Sequence, residues 1–150
     1  MKNFENKYIA SAGYHADVTQ PVILKAVLGS CVGVALFDCE AGVGGLIHLL
    51  LPEPALKEST FQLEKYAVHA MPEFINALYD LGATRENLRA VVAGGALVCP
   101  VSQHDLSLDI GGRTVDVVQR ILFNEKMAHP TFKWVYTRCC GCSILAVDSG

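Results

Sequence analysis

Residues 22–52 read VILKAVLGSCVGVALFDCEAGVGGLIHLLLP, three apolar runs separated by two short breaks. The runs at 22–28, 31–37 and 43–51 are rich in valine and leucine and are short, which predicts three strands. Gly29 and Ser30 mark a turn between the first two, and Pro52 closes the third. The second break, DCEAG, carries Asp38 and Gly42, residues suited to the ends of a short loop built on a type I turn, so the second and third runs are expected to form an antiparallel hairpin.

The loop of a hairpin sets its register. A four-residue loop from Asp38 to Ala41 pairs Phe37 with Gly42, and the same register carried along both strands sets Cys31 directly opposite His48. Opposed residues of an antiparallel pair have Cβ atoms roughly 4.5–5.5 Å apart, within thiol–imidazole reach. The shared face carries Gly33, Ala35, Gly44 and Leu46, while Val32, Val34, Leu36, Val43 and Ile47 lie on the other, which is expected to be the core side. A histidine touching a thiol can take its proton, and the thiolate is the form that attacks a carbonyl carbon. Gly29 and Ser30, at the bend just before Cys31, are candidates for aiming backbone N–H groups or a hydroxyl at a developing oxyanion. On spacing alone, a buried cysteine beside a hydrogen-bonded core histidine is the more economical reading, since free cysteine is among the most buried residue types.

Outward from the hairpin, residues 53–63 mix proline, charge and hydroxyl groups without a period and read as a surface loop. From Glu64 to Leu81 the apolar residues Ala67, Ala70, Phe74, Leu78 and Leu81 recur at helical spacing, with Gly82 as the stop and Pro72 either kinking the helix or opening its second part. A strand is expected at 88–93, ending at Gly94-Gly95. Gly111-Gly112 precede a helix whose Val115, Val118, Ile121 and Leu122 share one face. WVY (134–136) and SILAV (143–147) read as further strands. Strand pairs with inserted helices predict an α+β fold, and 150 residues fit a single domain over 1–150.

Composition narrows the function classes. The chain is 51% hydrophobic and 18% charged, apolar enough for a packed core. Its net charge of -3, without a lysine or arginine cluster, argues against a nucleic-acid partner. The polar start at 1–8 has no apolar signal region, and no stretch approaches the roughly eighteen apolar residues of a membrane span, so the expected location is cytoplasmic without membrane insertion. The six cysteines are expected to be thiols. Cys139, Cys140 and Cys142 put three thiols in four residues, but no second ligand pair stands at zinc spacing, and ordinary thiols are favoured. His15, His69, His104 and His129 are scattered and receive no role, and no metal or cofactor is expected.

The strings LGSCVGVALFD (28–38) and GGLIHLLLP (44–52) resemble the nucleophile and histidine segments of the chemoreceptor glutamine deamidase family, CheD. KYA (65–67), LGA (81–83), AVVAGGA (90–96) and IGGRTV (110–115) follow in that family's order. The resemblance implies a layered sandwich of packed mixed β-sheets with helices on the outside, similar to bacterial deamidating toxins. It also implies a protein-glutamine glutaminase: the matching cysteine, Cys31, attacks the side-chain amide of a receptor glutamine, the matching histidine, His48, is the base, ammonia leaves, and water releases glutamate. The partners implied are the cytoplasmic helices of methyl-accepting chemoreceptors and a CheC-type phosphatase, and an adaptor of that phosphatase with weakened catalysis is the alternative function. The sequence departs from the family at Lys25, six positions before Cys31, where the third catalytic member, a threonine, is expected. Val68 replaces a usual aspartate, Thr114 a usual asparagine, and TRCCGCS (137–143) the usual glycine- and arginine-containing tail.

Overall fold

The computed structural model describes residues 4–18, 22–56, 61–96, 109–127, 129–131 and 143–148, the last two segments as backbone. Eight strands and two α-helices follow in the order β1 (Glu5–Tyr8), β2 (Tyr14–Val18), β3 (Val22–Leu28), β4 (Val32–Asp38), β5 (Val43–Leu49), α1 (Ala67–Asp80), β6 (Arg89–Gly94), α2 (Ile110–Asn124), β7 (His129–Thr131) and β8 (Ser143–Asp148). A five-stranded sheet runs β2-β5-β4-β6-β7 and a three-stranded sheet runs β1-β3-β8. Each is mixed: β6–β7 and β1–β3 are parallel and the other ladders antiparallel.

Two apolar layers explain the stacking. Val32, Val34 and Leu36 of β4 and Val43, Ile47 and Leu49 of β5 pack with Met71, Phe74, Ile75 and Leu78 of α1 and Val115, Val118 and Leu122 of α2. Each of these side chains is worth on the order of 1.5–3 kcal/mol when fully buried. The opposite face of the same sheet presents Ala35, Leu46 and Ala93 to Leu24, Ala26 and Leu28 of β3. The α+β layered sandwich is therefore as expected, with both helices on one side of the large sheet. The expected core face is also correct, but the other face of the hairpin is buried too, under the small sheet.

The helix ends follow local chemistry. Gly82 takes φ +108 after α1, where its N–H donates to the Tyr79 carbonyl and that of Ala83 to Leu78, the pattern of a left-handed C-terminal cap. The helix begins at Ala67, not Glu64, because Leu63–Lys65 form a 3-10 turn and Tyr66 is extended; it runs through Pro72 without interruption. Asp109 caps α2, its Oδ1 accepting the Gly112 N–H at 2.9 Å. Tyr79 and Arg85 both reach the Glu125 carboxylate, tying the C-terminal ends of the helices together. Two family departures are accounted for here: Val68 packs against the core, and the buried Thr114 donates its hydroxyl to the Ile110 carbonyl at 2.7 Å. The strand expected at 134–136 and the tail cysteines Cys139, Cys140 and Cys142 lie outside the described residues, as do Cys99 and His104; 143–147 falls within β8. No helix of the described residues is long and apolar enough to cross a membrane.

The hairpin register requires a correction. The loop has four residues, but it is Cys39–Gly42, so Asp38 pairs with Val43, Phe37 with Gly44 and Gly33 with His48. Asp38 is the reason. Its carboxylate is 1% exposed and collects three backbone N–H groups at 2.9 Å: Oδ1 accepts from Glu40 and Ala41, and Oδ2 from Thr84. This holds Asp38 in the strand as its last paired residue and leaves the left-handed position, φ +63, to Gly42. Cys31 is consequently not directly opposite His48. The register has moved by two residues, which preserves the face, so both remain on the same side of the hairpin.

Burial alone would raise the Asp38 pKa, but the N–H groups of Ala41, Thr84 and Glu40 and the charge of Arg89 outweigh it and hold the carboxyl below its ordinary value. A carboxylate depressed on folding stabilises the fold above its unfolded pKa, about 3.9, and that contribution is lost as pH falls through the lower folded value. Asp38→Ala is expected to cost about 1–3 kcal/mol near neutral pH. The difference from the parent in urea midpoint should be full at neutral pH and should shrink once pH falls below that of an ordinary carboxyl.

Candidate active site

His48 sits in the interior of β5 and is 4% exposed. Its backbone is locked on the β2 side, where its N–H donates to the Gly13 carbonyl and its carbonyl accepts from Ala12, both at 2.9 Å. Its ring nitrogen Nδ1 lies 3.0 Å from the Ile9 carbonyl. A carbonyl only accepts, so Nδ1 carries the hydrogen and, in the neutral ring, Nε2 carries the lone pair. That second nitrogen is fully buried and has no hydrogen-bond partner among the described residues. An oriented imidazole with a free, desolvated lone pair is the arrangement required of a general base.

Cys31 occupies the bend before β4 and packs, half-buried, against the layer between the sheets. Its carbonyl accepts the Gly95 N–H at 2.9 Å, and Ala96 donates to the Gly29 carbonyl at 3.1 Å. Since Cys31 turns its carbonyl toward β6, Gly33 does too, and Gly33 and His48 form a non-hydrogen-bonded pair with respect to β5, the closer of the two kinds. The residue facing the imidazole has no side chain. Cys31 lies one diagonal step away, where Cβ atoms are separated by no more than about 7–8 Å. The thiol makes no hydrogen bond to Nε2 in this arrangement. Burial pushes the Cys31 thiol up from its ordinary value, against a hydrogen bond from the Ser11 hydroxyl and its own backbone N–H. In the resting site the sulfur therefore keeps its proton at neutral pH.

The glycines behind Cys31 explain a family motif physically. A Cβ on Gly94, at φ +96, would strike the Cys31 carbonyl, and one on Gly111 would lie 2.7 Å from the backbone of Gly95. The first turn of α2 thus abuts the strand end that holds the cysteine. At Gly29 a Cβ would meet nothing within 4 Å among the described residues, so none of them closes the bend. Among the described residues the amide N–H groups of Gly29 and Ser30 donate to no acceptor. These are the two residues expected from the sequence to serve an oxyanion.

Lys25 is not brought to the pair by its side chain. Leu24, Ala26 and Leu28 of β3 fill the layer between the sheets, so Lys25 points to the opposite face, where its ammonium lies 5.9 Å from the Tyr8 ring centroid. Its backbone carbonyl does contribute, accepting the Ile9 N–H at 2.7 Å and so fixing the residue that fixes His48. Sequence reasoning missed this N-terminal segment altogether: β1, β2 and the turn Ala10–Gly13 supply the Ile9 and Gly13 carbonyls and the Ser11 hydroxyl. The small-residue run ASAG (10–13) was the available signal. His15 is held by Lys7, 3.1 Å away, and by Asp17, and His69 is exposed on α1. Among the described residues no three histidine, cysteine or acidic side chains are grouped to hold a metal.

The sequence profile of the family described as CheD chemotactic sensory transduction matches residues 50–130, more than half of the chain. A probable chemoreceptor glutamine deamidase CheD from Clostridium kluyveri is 41% identical over 103 residues, covering 69% of this chain and 62% of the relative. The chemoreceptor glutamine deamidase CheD of Halalkalibacterium halodurans is 40% identical over 107 residues, covering 70% and 66%. The chain thus spans about two thirds or less of the length of these relatives. Among solved structures, a Neisseria meningitidis protein of the DUF152 family superposes with a TM-score of 0.52 at 12% identity, covering 91% of this chain and 64% of that one. YlmD from Geobacillus stearothermophilus gives 0.52 at 12% identity, covering 84% and 50%. At these identities the likeness is one of fold.

Two outcomes follow from the geometry. Nitrogen-15 spectra of the His48 ring should show the hydrogen on Nδ1 and a bare Nε2 when the ring is neutral. Gly111→Ala should lower stability by about 1–3 kcal/mol in thermal unfolding, because the added methyl meets the backbone of Gly95 and not a yielding side chain.

Proposed function

As this chain belongs to the CheD family, we propose that it is a cytoplasmic chemoreceptor glutamine deamidase, a protein-glutamine glutaminase in which Cys31 is the nucleophile and His48 the base. The observation that carries this reading is the buried His48 ring, held by the Ile9 carbonyl so that its free Nε2 lies on the same side of the hairpin as Cys31.

The chemistry begins with a rotation of the Cys31 side chain from Ser11 toward His48 as a glutamine side chain enters at the open bend. Sγ gives its proton to Nε2 and bonds to the amide carbon. The carbonyl oxygen becomes an oxyanion, and the N–H groups of Gly29 and Ser30, which donate to no acceptor among the described residues, are the donors offered to it. Collapse of the tetrahedral adduct passes the proton from Nε2 to the departing nitrogen. Ammonia leaves and a thioester remains. Water, deprotonated by the same Nε2, attacks the thioester, and glutamate and the Cys31 thiol are released. No redox step or cofactor enters the balance.

The test is mass spectrometry of receptor cytoplasmic fragments incubated with the full chain. Conversion of amide to acid adds about one dalton per glutamine; Cys31→Ala is expected to abolish the gain, and His48→Gln to slow it by roughly 10²–10⁴-fold. No gain with the unmodified chain on competent receptors would overturn the reading. A second reading is favoured by the resting arrangement, in which burial pushes the Cys31 thiol up and no hydrogen bond joins it to His48 Nε2: an adaptor that binds a CheC-type phosphatase and has weakened catalysis. Binding of that phosphatase retained by Cys31→Ala, with no deamidation by the parent, would select it.

A further inference from the structure

Two residues face one where β2 begins. In the register that pairs Tyr14 with Ile47, Gly13 falls opposite His48 and Ala12 is one residue too many. Both are nevertheless bonded to His48: the Ala12 N–H donates to the His48 carbonyl, and the His48 N–H donates to the Gly13 carbonyl, each at 2.9 Å. Two residues against one, with the first in the left-handed region at φ +64, make a β-bulge of the kind that ordinarily carries glycine at that position. Ala12 is also the third residue of the turn Ala10–Gly13, closed by the Gly13 N–H donating to the Ala10 carbonyl at 3.0 Å. Positive φ at the third residue and not at Ser11 marks a type II turn, which again calls for glycine. Alanine carries a steric cost there on the order of 1–2 kcal/mol, and a residue so strained persists where surrounding contacts impose it.

We propose that this bulge aims the base, with Ala12 as a positioning residue that acts through His48. The inference rests on the hydrolytic reading above and deepens it. Five consecutive residues, Ile9 to Gly13, hold one histidine at three points: its N–H, its carbonyl and ring Nδ1, which lies 3.0 Å from the Ile9 carbonyl. The three contacts depend on one another. The turn carries the chain from β1 in the small sheet to β2 in the large one, so the carbonyl just before it reaches the face of β5 that bears the imidazole. Ile9 is buried between the sheets and its N–H donates to the Lys25 carbonyl at 2.7 Å, which fixes the near end of the turn. The bulge fixes the far end on the His48 backbone. Were Ala12 to leave the left-handed region, its N–H would turn from the His48 carbonyl and the chain between the two ends would change course, taking the Ile9 carbonyl from the ring. An imidazole without that acceptor carries its hydrogen on either nitrogen, and with the hydrogen on Nε2 the neutral ring cannot take a proton from the thiol.

The experiment records nitrogen-15 spectra of the full chain, with the His48 ring signals identified by their loss in His48→Gln, alongside deamidation kinetics and thermal unfolding. Ala12→Pro removes the N–H and forbids a positive φ. It is expected to replace the single Nδ1–H form of His48 by a mixture of tautomers and to lower kcat roughly ten- to hundredfold with KM nearly unchanged, as lost orientation does. Ala12→Val keeps the N–H, but its branched side chain disfavours the left-handed region, so both readouts should move the same way by less; this variant decides the matter if the proline one does not fold. Ala12→Gly keeps the N–H and adopts the same backbone without strain, and should restore the tautomer and the turnover. A bulge that merely begins β2 would lower the unfolding temperature of the valine and proline variants while their folded molecules kept the Nδ1–H form and the parent kcat, and that result overturns the proposal. If the parent does not deamidate but the tautomers respond as stated, the aiming role stands and the hydrolytic reading falls. If the parent deamidates and the variants match it in spectra and kcat, the aiming role alone falls.

Discussion

The carboxylate of Asp38 holds three backbone N–H groups in a space closed to water, and the alignment of the central hairpin follows from it. With Asp38 retained in β4, Gly33 faces His48 and Cys31 stands one diagonal step beyond. A slip of a single residue would turn every side chain of one strand to the opposite face, sending the sulfur into the helix layer and leaving the imidazole under the small sheet. The link to Thr84 matters as well, because it ties the hairpin tip to the loop after α1 and so sets the hairpin against the helices that cover it.

Within that alignment the two faces of the large sheet do different work. The face toward α1 and α2 is lined by valine, leucine, isoleucine and phenylalanine and supplies the larger core. The face toward β3 is built from Ala35, Leu46 and Ala93 with Gly33 among them, smaller side chains that let a second sheet approach and leave room beside a buried imidazole. A histidine can be buried there because its backbone and one ring nitrogen are satisfied. The remaining nitrogen has no hydrogen-bond partner among the described residues, and leaving such a buried polar atom unpaired costs free energy.

Much of this was legible in the chain. Alternation in 32–37 and 43–49 identified the core face, the helical spacing of Ala67, Ala70, Phe74 and Leu78 identified α1, and the family motifs directed attention to Cys31 and His48. The register missed by two because turn chemistry places Asp38 equally well as the first loop residue or the last strand residue, and only the distant Thr84 N–H decides between them. The N-terminal strands were invisible because β1 and β2 are short, polar and mostly exposed, with no alternation to reveal them. Their contribution to the pair is made by carbonyl groups, which every residue possesses and no motif records. Lys25 illustrates the same limit: its side chain suggested a lost function, while its carbonyl supports the segment that holds the His48 ring.

The bond between the His48 ring and the Ile9 carbonyl spans 39 positions along the chain, whereas the hairpin is closed by a loop of four. Loop-closure entropy grows with the length of chain enclosed, so the hairpin forms at little entropic expense and the imidazole's tether at more. Under partial denaturation the N-terminal arm is thus the first part of the constellation to detach. A chain in that state keeps its central sheet but has a histidine free to rotate, so the proposed deamidation is expected to fade at lower denaturant than the circular dichroism of the fold.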